Sequence, residues 1–177
     1  MRIIGGKYKG FRFNPPPKIN ARPTTDRAKE SLINILNSSI GIEKKICLDL
    51  FCGTGNISFE FASHGAEFVT AVDLNFSSID FVKNTFEKLG FSNFDTIKKD
   101  VFKWLSQNHK MKYDIVFADP PYDILQLDKL PELIIESDMV NNSTTLIIEH
   151  RSNFNFKHPM LINQRKYGQS AFSFFKC

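Results

Sequence analysis

Lys45-Ile46-Cys47-Leu48-Asp49-Leu50-Phe51-Cys52-Gly53-Thr54-Gly55 decides the fold. Residues 45–50 form a short, mostly apolar run that reads as a buried strand. Gly53 and Gly55 follow, and a backbone without Cβ atoms can approach a ligand closely. Ile57, Phe61 and Ala62 then recur at helical spacing, with Gly65 placed to stop the helix. Strand, glycine turn and helix make the opening unit of a nucleotide-binding fold.

The unit repeats downstream. Glu67–Asp73 reads as a second strand ending in an acid, and Asp73 lies 20 residues after Gly53. That is the spacing of a carboxylate that bonds a ribose. Residues 95–101 read as a third strand, with Asp100 near its end. Taken singly, each acid also reads as a helix N-cap. The ordered series points to the ribose and adenine of one nucleoside.

A fourth apolar run, Asp114-Ile115-Val116-Phe117-Ala118, leads into Asp119-Pro120-Pro121-Tyr122. Proline lacks an N–H and has a fixed φ, so the diproline ends the strand abruptly. An acid, two stiff carbonyls and an aromatic ring are then held at a strand's carboxyl end, where open α/β sheets bind ligands. Carboxylate and carbonyl suit the two N–H groups of an exocyclic amine, and the ring suits a flat base. The same residues also make an ordinary strand-ending turn.

The alternation of strands and helices implies an α/β fold with a mostly parallel sheet. Residues 1–13 read as a β-hairpin around Gly5-Gly6 and Gly10, followed by a stiff Pro15-Pro16-Pro17 spacer. A helix starts at Thr24 or Thr25 and presents Ala28, Leu32, Ile35 and Leu36 on one face. Ile79, Val82, Phe86 and Leu89 mark another helix, ended by Gly90. A further helix falls near 127–136, a strand over 144–149, and a terminal hairpin turns at Tyr167-Gly168. One domain is expected: residues 1–20 as a basic arm, residues 21–177 as the body.

The net charge of +4 is unevenly spread. Residues 1–30 hold eight basic residues (Arg2, Lys7, Lys9, Arg12, Lys18, Arg22, Arg27, Lys29) against Asp26 and Glu30. That segment is therefore +6 and the remainder −2. A basic segment on a slightly acidic body is the footprint of a phosphate-backbone partner. No apolar run is long enough for a membrane helix, and Gly5 to Gly10 break any signal-peptide core. Cys47, Cys52 and Cys177 match no zinc spacing, so no metal is expected and the setting reads as reduced and cytoplasmic. His64, His109, His150 and His158 show no paired Cys/His spacing and read as surface residues.

These motifs resemble the Rossmann-like S-adenosylmethionine-dependent methyltransferases. Ile57-Ser58 stand where a dinucleotide-binding loop would carry its third glycine, which disfavours a nicotinamide enzyme. Arg2-Ile3-Ile4-Gly5-Gly6-Lys7-Tyr8-Lys9-Gly10, Arg22-Pro23-Thr24-Thr25-Asp26-Arg27-Ala28-Lys29-Glu30 and Arg165-Lys166-Tyr167-Gly168 narrow the match. They are similar to the bacterial family that methylates N2 of one guanine in small-subunit (16S) ribosomal RNA. Cys52 stands where that family often has alanine, and His64 where it often has arginine.

The resemblance implies a seven-stranded sheet with helices on both faces and S-adenosylmethionine as methyl donor. It implies a cofactor site of Asp49, Phe51, Gly53, Gly55, Asp73, Leu74, Asp100 and Val101. Asp119, Pro120, Pro121 and Tyr122 would be catalytic, and Arg2, Lys7, Lys9, Arg12, Arg22, Thr24 and Arg27 would bind RNA. The partner would be ribosomal RNA or an assembling small subunit, engaged by a monomer. Adenine-N6 transfer, glutamine-amide methylation and a non-catalytic RNA-binding factor are the competing readings.

Overall fold

The computed structural model describes residues 1–19 and 25–177. The elements run α1 (Asp26–Ser39), β1 (Ile46–Leu50), α2 (Asn56–Ser63), β2 (Phe68–Asp73), α3 (Phe76–Leu89), β3 (Phe94–Lys98), α4 (Val101–Leu105) and β4 (Ile115–Ala118). After a 3-10 turn, Leu127–Lys129, come α5 (Leu130–Ile135), β5 (Thr145–Arg151), β6 (Leu161–Tyr167) and β7 (Ser170–Lys176). The strands form one sheet in the order β3-β2-β1-β4-β5-β7-β6. β3 to β5 are parallel, and β7 lies antiparallel between β5 and β6. Strand order reverses between β1 and β4, which opens a crevice at their carboxyl ends.

Alternation along the strands divides the core. Cys47, Val69, Ala71, Ile115, Phe117 and Ile147 face a layer built with α1, α2 and α3. Leu48, Leu50, Val72, Val116, Ala118, Leu146 and Ile148 face the layer of α4 and α5. Because side chains alternate with period two, Asp49, Asp73, Asp119 and Glu149 all fall on the first face. That parity brings four acids of four strands to one side of the sheet.

Local signals set the helix ends. Thr25 caps α1, its hydroxyl accepting the Ala28 N–H at 3.3 Å. Asn75 caps α3 through the Ser77 N–H at 2.8 Å, and Gly90 ends that helix in the left-handed conformation. The buried stripe of α1 runs through Ala28, Lys29, Leu32, Ile33 and Leu36. The expected Ile35 is only partly buried beside it, because the stripe follows the i, i+4, i+7 row from Lys29. The third strand ends earlier than expected, at Lys98. Asp100 instead caps α4, a helix the sequence did not announce, by accepting the Lys103 N–H at 3.0 Å.

The amino-terminal hairpin reduces to one antiparallel bridge, Arg2 to Arg12. Some of its backbone hydrogen bonds close the segment on itself, as from the Ile3 N–H to the Phe11 carbonyl at 3.0 Å and from the Phe13 N–H to the Met1 carbonyl at 3.1 Å, and others reach α2. Ile4 N–H donates to Glu60 at 2.8 Å, Lys7 N–H to the Ser63 carbonyl at 2.7 Å, and Tyr8 N–H to the Ser63 hydroxyl at 2.9 Å. The Ser63 hydroxyl in turn donates to the Gly5 carbonyl. A Cβ on Gly6 would lie 1.9 Å from the Ser63 carbonyl oxygen, so glycine is what lets the two backbones meet. Ile3 and Phe13 are buried, and the Phe13 ring meets Phe59 edge-on at 4.9 Å.

Lys29 joins α1 to this assembly. Its ammonium, fully buried, lies 2.9 Å from Glu60 and donates to the Arg2 carbonyl at 2.7 Å and to Asn56 Oδ1 at 2.8 Å. Lys29 is therefore not among the cations available to a phosphate backbone. His150, expected on the surface, is also buried. Its Nδ1 lies 2.9 Å from the Arg151 carbonyl, which can only accept, so that nitrogen carries the proton. Nε2 then accepts the Ser173 hydroxyl at 2.8 Å.

Candidate active site

The crevice at the switch point is a cavity of about 470 Å³, within the range of small-molecule sites. It is lined by the β1–α2 loop, the ends of β2 and β4, and the start of α4. Phe51 turns the chain out of β1 with φ 58°, a left-handed conformation unusual for a non-glycine residue. Its ring packs edge-on against Phe102 at 6.1 Å, and both line the cavity.

Asp73 fixes the glycine loop. One carboxylate oxygen accepts the Gly53 N–H at 2.8 Å, the other the Asn75 N–H at 2.7 Å. Asp49 lies deeper, under α2, and accepts both the N–H of Ser58 at 3.0 Å and its hydroxyl at 2.5 Å. Burial pushes the Asp49 carboxyl up to about 7, against the pull of the two Ser58 hydrogen bonds. Gly55 is not part of the cavity wall. A Cβ there would lie 2.7 Å from a Val82 methyl and 2.8 Å from the Phe59 ring, so this glycine serves packing of α2 on α3.

Asp119 follows the last residue of β4, its N–H bonded to the Leu50 carbonyl at 3.2 Å. It is partly exposed, toward the cavity it lines. Ala118 pairs with Ile148, so Glu149 stands beside Asp119 on the neighbouring parallel strand. Burial first, then the Glu149 and Asp49 charges, hold the Asp119 carboxyl well above the usual carboxylate range. The turn beyond it is closed by the Ile124 N–H on the Pro121 carbonyl at 3.0 Å. Tyr122 lines the mouth, with the Arg151 guanidinium 5.2 Å from its ring centroid.

The cavity thus gathers Asp49, Phe51, Gly53, Asp73, Leu74, Asp100, Val101 and all of Asp119–Tyr122. Asn75, Ser78, Phe102, Ile19 and Ile124 line it as well and were not foreseen. Asn75 and Ser78 carry a signal, because they sit in the cap and first turn of the helix after an acidic strand end. Ile19 and Ile124 carry none. Of the expected RNA-binding residues, Arg2 pairs with Asp26 at 3.0 Å on the surface, and Lys7, Lys9, Arg12 and Arg27 lie away from the cavity lining. Arg22 and Thr24 lie outside the described residues. No group of three or more potential metal ligands occurs among the described residues, and no helix there is long and apolar enough to cross a membrane.

The family described as Conserved hypothetical protein 95 matches residues 1–176. The chain belongs to this family. Similar proteins include the ribosomal RNA small subunit methyltransferase D of Buchnera aphidicola (subsp. Baizongia pistaciae). It is 33% identical over 155 residues, 88% of this chain and 78% of that one. The Escherichia coli K12 protein of the same name is 29% identical over 150 residues, covering 84% and 74%. Among solved structures, the Escherichia coli chain yhhF, described as a candidate methyltransferase, superposes with TM-score 0.87. It is 25% identical and covers 99% of this chain and 97% of its own. A Salinibacter ruber RNA methyltransferase in complex with S-adenosylhomocysteine shares the fold at TM-score 0.68 and 13% identity, over 88% and 93% of the two chains. Family membership, fold and site together make the chain a methyltransferase.

Proposed function

We propose that the protein transfers a methyl group from S-adenosylmethionine to the exocyclic N2 amine of a guanine in 16S ribosomal RNA, free or in an assembling small subunit. The observation that carries this reading is Asp119-Pro120-Pro121-Tyr122 at the end of β4, opening onto the same cavity as the glycine loop and Asp73. The names of the family's rRNA methyltransferases support it.

The cavity fits the donor. Its walls offer apolar surface from Phe51, Leu74, Val101 and Phe102 beside the carboxylates of Asp73 and Asp100. Asp73 would bond the ribose hydroxyls, Asp100 the adenine amine, and Asp49 with the 53–55 loop would stand near the amino-acid part. When bound, S-adenosylmethionine supplies an electrophilic methyl on a sulfonium. The chain's residues must bring a nucleophile to it. A guanine leaves its stack at a cost of a few kcal/mol, and stacking on Tyr122 returns roughly 1–3 kcal/mol. Asp119 and the Pro120 carbonyl accept the two amine N–H groups. This draws the nitrogen toward tetrahedral geometry and localises a lone pair otherwise spread into the ring. In-line positioning supplies much of the rest, and Asp119 accepts the departing proton.

The test is to incubate the protein with radiolabelled donor and either 16S rRNA or small subunits, then digest to nucleosides. Label in N2-methylguanosine is expected. Label in N6-methyladenosine would move the assignment to adenine, and RNA binding without transfer would move it to a non-catalytic factor.

Two predictions concern the donor. Asp73→Ala should weaken S-adenosylhomocysteine binding about ten- to a hundredfold, because a charge-assisted hydrogen bond contributes about 1.5–3 kcal/mol. The substitution also frees the Gly53 N–H that shapes the loop. Calorimetry that finds an unchanged dissociation constant would return Asp73 to a cap-only role. Asp49 predicts a pH dependence. Its carboxyl is protonated below about 7, while the ammonium of a bound donor favours the carboxylate. Binding should therefore release a proton, and affinity should rise from pH 6 to pH 8. Calorimetry in buffers of different ionisation enthalpy reads that proton directly. In Asp49→Asn the release should vanish.

A further inference from the structure

The rim of the cavity carries a cation with no assigned task. Arg151 is the last residue of β5 and is exposed. Side chains alternate along β5, so Arg151 projects from the same sheet face as Glu149, and it lies next to Tyr122. Its guanidinium carbon lies 5.2 Å from the centre of the Tyr122 ring, within the range of a cation–π contact. It makes no ion pair among the described residues. The contact is anchored from the other side. Ser170 pairs with both Arg151 and Tyr167, and the Ser152 N–H donates to the Gln169 carbonyl at 2.9 Å, so the tip of the β6–β7 hairpin holds the end of β5.

We propose that Arg151 is the phosphate anchor of the nucleotide whose base enters the cavity. The inference rests on reading the cavity as a nucleic-acid base site. A guanidinium held over a ring face engages only part of its surface, and N–H donors of its five-donor fork stay available for a phosphate's oxygens. A base that swings out of its stack pivots about its own backbone. The anion to be fixed therefore lies at the rim, beside Tyr122, and not inside the pocket. The base would stack on the Tyr122 face opposite Arg151, so one contact sets the ring's orientation and the other the strand's position. Arginine meets both needs, whereas lysine offers charge without a planar group to stack.

The test uses the full chain as wild type, Arg151→Ala and Arg151→Lys, with a 16S rRNA transcript and isolated small subunits as probes. In Arg151→Ala the slope of log affinity against log salt should fall by about 0.7–0.9, the share of one phosphate contact. KM for RNA should rise about tenfold, as for a lost charge-assisted bond, with a smaller change in kcat and unchanged S-adenosylhomocysteine affinity. Arg151→Lys should restore the slope and leave KM raised. A wild-type slope and KM in Arg151→Ala, with wild type methylating the transcript, would overturn the anchor alone. A wild type that neither binds nor methylates the transcript or isolated small subunits would overturn the anchor together with the reading beneath it.

Discussion

Asp119→Asn is expected to lower the single-turnover methyl-transfer rate about 10²–10⁴-fold, the range for removal of a positioned proton acceptor. An asparagine can still present a carbonyl to one amine N–H, but it is neutral and takes up no proton. Folding should not suffer. The Asp119 carboxyl is held above its ordinary range by burial and by Glu149, so its ionisation opposes folding at neutral and higher pH. An amide removes that cost, and the variant should be at least as stable as wild type at pH 8. Cofactor affinity should stay near the wild-type value. The same shift gives wild type a pH profile: transfer falls as pH drops through the raised Asp119 pKa, because the protonated carboxyl cannot accept the amine's proton. Rates within threefold of wild type would remove Asp119 from the chemistry and leave the Pro120 carbonyl as the amine's acceptor.

Local pattern revealed the parts of this site that local chemistry controls. The apolar runs of β1, β2 and β4, the glycine turn after β1 and the diproline after β4 each write their structure into a few consecutive residues. The end of the third strand was misplaced at the same scale. An acid near the end of an apolar run serves equally as a strand end or as the cap of the next helix, and the Lys103 N–H decided for the cap. Residues that depend on distant partners were not legible. Glu149 becomes a neighbour of Asp119 only through the β4–β5 register. His150 looks like a surface histidine until β7 inserts beside β5 and brings Ser173 to its ring. Gly5-Gly6 read as a turn in a basic arm, yet its requirement comes from His64 against Gly5 and Ser63 against Gly6, more than fifty residues on. The amino-terminal charges are thus mounted on a segment that is itself packed against α2.

Lys29→Met should cost about 3–5 kcal/mol of stability, the usual loss when one partner of a buried ion pair is removed. In sequence Lys29 is one more cation of a basic segment. In the fold both it and Glu60 have fully buried side chains, 2.9 Å apart. Methionine fills similar space but leaves the Glu60 carboxylate buried with, among the described residues, the Ile4 N–H and a distant His64 ring to face it. It also strips a donor from the Arg2 carbonyl and from Asn56. Lys29→Met combined with Glu60→Gln should recover much of the stability, since the uncompensated charge is gone and the amide still accepts the Ile4 N–H. Urea midpoints of the three proteins make the measurement. A single-variant loss under about 1 kcal/mol would show the pair to be incidental. A full loss with recovery in the double variant would establish it as the link that holds the amino-terminal segment, α1 and the cavity residue Asn56 in one piece.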